Sequence, residues 1–397
     1  MKHVDLSFGF KKAKIYKTKF LALILLFGVI ASFQFHVEVI GYFGFGGLFV
    51  SDTMSMQSSI NSIAQGASIN YRTILGVVVL YYPSYWLGPF YSYFINAVLL
   101  YFSCHFFIKA MPALELNLSR PKIYFIFLAV IANFYILSVM LHPNKEIPLI
   151  FLTNAFIYYA AVKEKILLPL VIIFIAATFR DGYGIILLLT LIALNMKIVT
   201  YTFYRRPYLV LSSFFIFLAL FTIQNLIYLN ILPDIGYVFD RNVNYGSQLD
   251  SFLNGLPSYL AFTLKLVNNL VSAALRPQFF DVNGRAYIVG IGMWQFGVTC
   301  LLGVFSWMYT IRGKRVNINV SKVALAIFIC LLLISAGTFT QPRYLMPYIF
   351  WLAAGSILNL RFYQILILFI LVVLSAQVFS LLGFGFGLTT GVDLYPH

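Results

Sequence analysis

Eleven apolar stretches divide this chain, and they constrain its fold more than any other feature. A helix that crosses a bilayer needs about 20 mostly apolar residues, and it satisfies its own backbone polar groups. The stretches approach that length, which predicts an all-α polytopic membrane protein with about 11 transmembrane helices. They cover residues 20–38, 86–108, 123–141, 147–162, 166–179, 182–196, 208–229, 287–311, 323–340, 344–360 and 363–382.

The composition agrees with a membrane protein and excludes an ordinary soluble domain. The 397 residues are 61% hydrophobic and 10% charged, whereas about a quarter of the residues in soluble domains are charged. The net charge of +15 does not indicate nucleic-acid binding, because the aromatic residues lie in apolar stretches. The cysteines at 104, 300 and 330 also lie there, so we expect buried, inert thiols rather than disulfides or a zinc site.

The distribution of charge between alternate loops predicts the orientation of the helices, because cytoplasmic loops carry the excess of Lys and Arg. With a cytoplasmic N-terminus, most of the 27 Lys and Arg residues fall inside and most of the 12 acids fall outside. This predicts a multi-pass protein of a plasma membrane with an external C-terminus. The basic N-terminus is followed by an apolar run without a small-residue cleavage site, so we expect an uncleaved first helix.

Two long external loops are expected to carry helices that lie on the membrane surface. The first loop covers residues 39–85, with an interfacial helix expected at 56–69 and a shallow or re-entrant piece at 73–85. The second loop covers residues 230–286, and apolar residues recur on one helical face within 257–275. We expect residues 1–397 to form a single transmembrane domain.

Five polar clusters interrupt the apolar sequence, and all five are external in this topology. Ionisable groups at a membrane edge are costly, so they are candidate functional residues. A single external set of acids and bases suggests one site for a charged, membrane-bound substrate. The clusters are Asp52 with Arg72, residues 142–146, Arg180 with Asp181, residues 234–285 and residues 341–344.

Each cluster has a structural interpretation beside a functional one. Asp52 either acts as a general base on an acceptor hydroxyl or caps the helix that follows. Arg180 and Asp181 either form an ion pair that fixes a turn or line a cavity. Arg343, followed by Tyr344 at the start of a late helix, is either an interfacial anchor or a phosphate contact.

The sequence resembles the GT-C superfamily of membrane glycosyltransferases and the related O-antigen-type polysaccharide polymerases. Three short motifs carry the resemblance. They are an acid soon after the first helix (Asp52), an Arg-Tyr-x-x-Pro motif that opens a late span (343–347) and a short Asn-Lys-Glu turn (144–146). Thr53 stands where the family usually has a second acid.

The resemblance implies a function in bacterial cell-surface polysaccharide synthesis, at the outer face of the inner membrane. A sugar or oligosaccharide would pass from a polyprenyl-(di)phosphate carrier to a glycan or lipid-linked acceptor. Asp52 would be the catalytic base. The expected phosphate or substrate contacts are Lys145, Glu146, Arg180, Asp181, Arg276, Arg343 and Tyr344.

The resemblance leaves several alternatives open. Transfer of a single sugar and polymerisation of repeat units both fit, and a lipid-linked oligosaccharide flippase or another transporter is the alternative from a different class. No cofactor is certain, although a divalent cation is possible at Asp52 and Glu146. Membrane lipids are expected partners, and nucleic acid is not.

Overall fold

A computed structural model describes residues 15–26, 51–66, 75–114, 118–140, 142–224, 288–312, 317–335 and 342–358, together with 364, 367 and 370. The chain is helical in these ranges, and no strand occurs among the described residues. The all-α prediction is confirmed for them. The loop predicted to be external at 230–286, with Arg276, lies outside the described residues.

Fifteen helices follow one another in the described ranges. The first seven are α1 (residues 15–26), α2 (Ser51–Ala64), α3 (Leu75–Tyr81), α4 (Ser84–Leu87), α5 (Pro89–Ala110), α6 (Arg120–Ile131) and α7 (Phe134–Met140). The next five are α8 (Glu146–Ile157), α9 (Leu167–Phe179), α10 (Asp181–Asn195), α11 (Lys197–Arg205) and α12 (Pro207–Gln224). The last three are α13 (Ile288–Arg312), α14 (Ile318–Ser335) and α15 (Ile349–Leu358).

Three tighter or wider turns join these helices. A 3₁₀ turn at Met111–Leu114 follows α5, and a π turn at Tyr158–Val162 extends α8. A second 3₁₀ turn, Pro342–Tyr348, leads into α15.

Local sequence signals set several helix starts. Gly88 has a φ of 66°, a left-handed conformation that glycine adopts without strain, and Pro89 then opens α5. The side-chain oxygen of Asn144 accepts a hydrogen bond from the backbone N–H of Ile147 at 2.8 Å. An N-cap residue makes the same kind of bond, from its side chain to a backbone N–H three residues later. The bond stabilises the first turn of α8, which starts at Glu146.

Helix α8 is the centre of the fold. It packs against α5, α9 and the Pro342–Tyr348 turn. Eleven of its 12 residues are buried, including Glu146 and Asn154. A helix that is covered on all sides in this way fixes the positions of the residues at its two ends.

Helices α13 and α15 approach each other closely because two glycines lie between them. A Cβ atom added at Gly303 would lie 2.4 Å from the carbonyl oxygen of Leu352, and one at Gly355 would lie 2.4 Å from Nε1 of Trp307. The indole N–H of Trp307 donates to the carbonyl of Trp351 at 2.9 Å. Small residues allow such contacts between helix backbones.

The helices differ from the predicted spans in their continuity. The stretch 123–141 is two helices, α6 and α7, that separate after Ala132 (φ −81°, ψ 6°). The stretch 344–360 begins as a 3₁₀ turn, and the helix expected at 56–69 instead runs from Ser51 to Ala64. Eleven continuous spans are therefore not shown. The three cysteines are buried and free, as predicted.

One helical stretch among the described residues is long and apolar enough to cross a membrane. It consists of α5 and the 3₁₀ turn that follows, from Phe90 to Leu114, and has 25 residues with a mean hydropathy of 1.5. Gly182–Asn195 and Lys197–Arg205 would be a second such span if the two pieces form one, but they meet at 81°.

Candidate functional site

Three predicted site residues that are far apart in the sequence meet at one place. The Nη2 atom of Arg180 lies 3.4 Å from Oε1 of Glu146, and its Cζ lies 4.8 Å from the ring centroid of Tyr344. Glu146 begins α8, Arg180 joins α9 to α10, and Tyr344 lies in the 3₁₀ turn before α15. We call Glu146, Arg180 and Tyr344 the Arg180 cluster.

The two charged groups of the cluster differ in their access to solvent. The Glu146 side chain is 6% exposed and that of Arg180 is 21% exposed. The second carboxylate oxygen of Glu146 accepts a hydrogen bond from the backbone N–H of Lys145 at 3.2 Å. A buried carboxylate needs a paired charge, which Arg180 supplies. A guanidinium has five N–H donors, so Arg180 retains donors for a ligand that reaches its exposed part.

A network of side-chain amides holds the loop that leads to Glu146. Asn96 and Asn144 are fully buried. The Nδ2 atom of Asn144 lies 3.2 Å from Oδ1 of Asn96, and it donates to the carbonyls of Val139 (3.0 Å) and His142 (2.9 Å). Asn96 also donates to the carbonyl of His142 at 3.2 Å and accepts from the hydroxyl of Tyr81. The side-chain amides of Asn144 and Asn96 thus form their hydrogen bonds within the protein, so these two residues position the loop.

Two titratable groups next to this network are neutral at pH 7. Burial lowers the pKa of His142 to about 4, so its imidazole does not add a second cation for phosphate. Burial also raises the pKa of Tyr81 well above its ordinary value, and the Glu146 carboxylate adds to the rise. Tyr81 therefore keeps the proton that it donates to Asn96.

A buried hydrogen bond fixes the two helices that begin at the cluster. The hydroxyl groups of Thr153 in α8 and Tyr183 in α10 lie 2.8 Å apart. Glu146 is the first residue of α8, and Arg180 immediately precedes α10. The contact therefore helps to hold Glu146 and Arg180 opposite each other. Neither Thr153 nor Tyr183 was singled out from the sequence.

The other predicted residues are only partly described. Lys145 is half-buried just before α8. Asp52 is the second residue of α2 rather than the residue before it, so the backbone does not place it at the N-cap. Asp181 opens α10 and Arg343 lies in a 3₁₀ turn rather than at an α-helix N-terminus. The side chains of Asp52, Asp181 and Arg343 lie outside the described residues, as does all of Arg276.

The structure describes an ion pair between Arg180 and Glu146, which the sequence did not predict. The predicted pair between Arg180 and its neighbour Asp181 stays a prediction, because the Asp181 side chain lies outside the described residues. A partner 34 residues away ties two helices together, whereas an adjacent partner fixes only a local turn. The Arg180 cluster is thus part of the tertiary structure.

The helix that carries Asp52 packs near the amide network. Met56 and Ile60 of α2 are buried, and α2 contacts α3 and α4. The Ser84 hydroxyl donates to the side-chain oxygen of Gln57 at 3.4 Å. Helix α3 ends at Tyr81, whose hydroxyl group donates to Asn96 in the amide network. Helix α2 contacts α3 and therefore lies beside this network.

The divalent cation considered at Asp52 and Glu146 stays a prediction, because the Asp52 side chain lies outside the described residues. No group of three or more His, Cys, Asp and Glu side chains occurs among the described residues. The described charged partner of the Glu146 carboxylate is the Arg180 guanidinium.

Three lysines make a second set of polar contacts, and that of Lys322 lies at the opposite end of α8. Lys322 forms an ion pair with Glu164, which follows the π turn. The Nζ atom of Lys17 lies 2.9 Å from Nδ1 of His105, and Lys122 donates to a carbonyl at the end of α15 at 2.7 Å. At 1.5 Å per residue, α8 and its π turn separate the Lys322–Glu164 pair from the Arg180 cluster by about 25 Å.

Comparison with protein families, with curated proteins and with solved structures found no match to this chain.

Proposed function

We propose that this protein is a membrane glycosyltransferase of bacterial cell-surface polysaccharide synthesis. It transfers a sugar or oligosaccharide from a polyprenyl-(di)phosphate carrier at the outer face of the inner membrane. The observation that carries the proposal is the Arg180 cluster. It unites a buried acid, a partly exposed guanidinium and an aromatic ring from three separate clusters that are predicted to be external. One of these clusters also carries the Arg-Tyr-x-x-Pro motif of the resemblance.

Arg180 is suited to neutralise a departing phosphate. Its planar guanidinium matches two phosphate oxygens at once, which a lysine does not do. The Glu146 carboxylate and the Tyr344 ring hold the guanidinium before any substrate binds. A donor fixed in this way accelerates reaction, and loss of one such donor costs about 10²–10³-fold in rate in other enzymes. Lys145 and Arg343, each adjacent in sequence to a cluster member, add positive charge in this proposal.

The proposed reaction is a displacement at the anomeric carbon of the donor sugar. Asp52 takes the proton from an acceptor hydroxyl, and the acceptor oxygen forms a bond to the anomeric carbon. The bond between that carbon and the carrier phosphate breaks, and the phosphate oxygen leaves with the electron pair. Arg180 and its neighbours stabilise the charge that develops on this oxygen.

The surface of α9 supports the membrane setting of this proposal. The helix contains no charged residue, yet Leu167 is 79% exposed, Val171 is 48% exposed and Phe174 is 74% exposed. Ile172 and Ala176 on the other face are buried. A continuous apolar face of this kind needs lipid or a partner to cover it.

The contacts at the two ends of α8 give further support. The Arg180 cluster joins residues from loops that the charge distribution predicts to be external. At the other end, the Lys322–Glu164 ion pair joins two residues from segments predicted to be cytoplasmic. The separation of about 25 Å is similar to the thickness of a hydrocarbon core, about 30 Å.

Gene deletion followed by sizing of the surface glycan tests the proposal. Wild-type protein should restore the glycan, whereas Asp52→Asn and Arg180→Ala should not, at equal protein levels on immunoblots. Lys165→Gln is the control, because Lys165 is exposed and its loop is predicted to be cytoplasmic. Full-length ladders in the deletion strain would contradict the proposal.

The kind of defect distinguishes the alternatives. Loss of the ladder with one repeat unit retained indicates a polymerase, and loss of one sugar type indicates a single-sugar transferase. Accumulation of the carrier-linked glycan on the cytoplasmic side indicates a flippase and contradicts transfer.

Arg180→Lys tests the phosphate contact itself. This variant keeps the charge but loses the planar fork, so we expect a transfer rate within tenfold of that of Arg180→Ala. The assay uses purified protein in vesicles with a lipid-linked donor. Wild-type activity in Arg180→Lys would remove the bidentate contact from the mechanism.

A further inference from the structure

Residues 197–205, which follow α10, form a helix. The charge distribution predicts only a cytoplasmic loop in this segment. Helix α11 (Lys197–Arg205) meets the helix Gly182–Asn195 at 81°. Met196, with an extended backbone (φ −76°, ψ 99°), makes the break. Because α11 is nearly perpendicular to α10, a membrane-crossing α10 places α11 along the membrane surface.

One face of α11 is fixed against the protein. Phe203 is completely buried and Thr200 is 6% exposed. The Phe203 ring lies 6.2 Å from that of Phe328 in α14, and α11 packs against both α12 and α14. These contacts determine which face of the helix points outward.

The outward face combines apolar and basic side chains. Ile198 is 72% exposed and Tyr201 is 55% exposed. Lys197 and Arg205 are also exposed, each four residues from Tyr201 and therefore on its face. The Arg205 guanidinium carbon lies 5.4 Å from the centroid of the Tyr201 ring.

No acidic side chain neutralises this face within the described residues. Residues 197–206 contain Lys197, Arg205 and Arg206 but no Asp or Glu. The carboxylates with described side chains are Glu146 and Glu164, and these form ion pairs with Arg180 and Lys322 respectively. The outward face of α11 thus has the charge that an anionic surface would complement.

We propose that α11 is an in-plane docking helix for the anionic phospholipid head groups of the cytoplasmic leaflet. Lys197 and Arg205 contact the lipid phosphates, and Ile198 and Tyr201 enter the boundary between head groups and acyl chains. This inference rests on the membrane setting of the proposed function and is independent of glycosyl transfer.

A nitroxide label at position 198 tests the depth of the helix. The protein carries Ile198→Cys and is reconstituted in vesicles of phosphatidylcholine with phosphatidylglycerol. The native cysteines are buried, so the label goes to the new thiol. We expect position 198 to be more accessible to oxygen, and less to a water-soluble nickel complex, than a label at Lys165→Cys. Equal access of the nickel complex to both positions would overturn the proposal.

Lipid retention tests the charges. Lys197→Gln/Arg205→Gln is compared with Lys163→Gln/Lys165→Gln, which removes two exposed charges from a neighbouring predicted cytoplasmic loop. The measurement is the phosphatidylglycerol that remains bound in native mass spectrometry, relative to phosphatidylcholine. We expect a loss of about 5-fold for each charge removed from α11, and less than about 2-fold in the control.

Equal losses in the two double variants would show that the charge acts only as a diffuse field and would overturn the proposal. So would a wild-type protein that retains both lipids equally. Neither readout involves glycan synthesis, so failure here is distinguishable from failure of the transferase proposal.

Discussion

The ion pair between Glu146 and Arg180 predicts an asymmetry between two variants that each remove one charge. Arg180→Gln leaves a carboxylate whose side chain is 6% exposed, whereas Glu146→Gln leaves a guanidinium that is 21% exposed. An unpaired charge costs more where water cannot reach it. We therefore expect Arg180→Gln to destabilise the protein more than Glu146→Gln.

The geometry of the pair determines the magnitudes. Removing one partner of a buried ion pair costs about 3–5 kcal/mol. The contact is single and 3.4 Å long, so we expect the lower limit, about 3 kcal/mol, for Arg180→Gln. Loss of the contact with the Tyr344 ring adds about 1 kcal/mol. Glu146→Gln loses one charge-assisted hydrogen bond, about 1.5 kcal/mol. The double variant should lose less than the sum, by about 2 kcal/mol.

The assay is equilibrium unfolding of the purified protein in mixed micelles, followed by circular dichroism as the fraction of denaturing detergent rises. Tyr344→Leu measures the share that comes from the ring. An equal or larger loss in Glu146→Gln would refute the reasoning. Additivity of the two single variants would mean that the pair does not interact in the folded protein.

Four further variants, of which Gly182→Ala is a control, are measured with the same unfolding assay. Between pH 7 and pH 4 the free energy of unfolding of the wild type should fall by about 3 kcal/mol, and His142→Asn should lack this fall. The reason is that His142 binds a proton near pH 6.5 in the unfolded chain and only near pH 4 in the folded chain. Asn144→Ala should cost about 2–3 kcal/mol, since it leaves the buried N–H of Ile147 without its acceptor and removes one of the two donors to the carbonyls of Val139 and His142. Gly303→Ala should cost about 1–3 kcal/mol by overpacking, whereas Gly182→Ala, with no atom within 4 Å of the new Cβ, should change stability by less than about 0.5 kcal/mol.

The sign of the His142 effect follows from its lowered pKa. The stabilising contribution is complete above pH 6.5 and is lost as the pH falls toward 4. A pH dependence that His142→Asn leaves unchanged would contradict a buried, neutral imidazole. Wild-type stability in Asn144→Ala would contradict the role of the amide network. Equal effects of the two glycine substitutions would contradict the close contact of α13 with α15.

Hydropathy predicts where helices lie but does not predict where they break. Apolar residues must bury their side chains and pair their own backbone groups, so α9 at Leu167–Phe179 agrees closely with the stretch 166–179. The break between α6 and α7 has a different cause. The side-chain oxygen of Asn133 accepts a hydrogen bond from the backbone N–H of Ile136 at 3.3 Å, which caps a new helix. That asparagine was the available signal for the break.

The members of the site were more predictable than their contacts. Glu146, Arg180 and Tyr344 were all candidates, but the pairing depends on how α8 packs against α9 and the Pro342–Tyr348 turn. Sequence spacing carries no information about that packing. Asn96 was missed, although an amide inside the apolar stretch 86–108 signals a buried partner, because a polar group there must form hydrogen bonds.

Helix α11 was missed for another reason. Lys197, Arg205 and Arg206 were counted only for the orientation of a loop. The buried Thr200 and Phe203 are three residues apart, a spacing that places them on one helical face.

The central claim is that the polar clusters of this chain share one external face, and cysteine labelling tests it most directly. A membrane-impermeant maleimide is added from the periplasmic side to variants that each carry one introduced cysteine, against a background of buried native thiols. We expect labelling of Asp52→Cys, Lys145→Cys and Arg343→Cys, and none of Lys165→Cys or Lys197→Cys. Labelling of the first three from different sides, or of Lys165→Cys from outside, would contradict it.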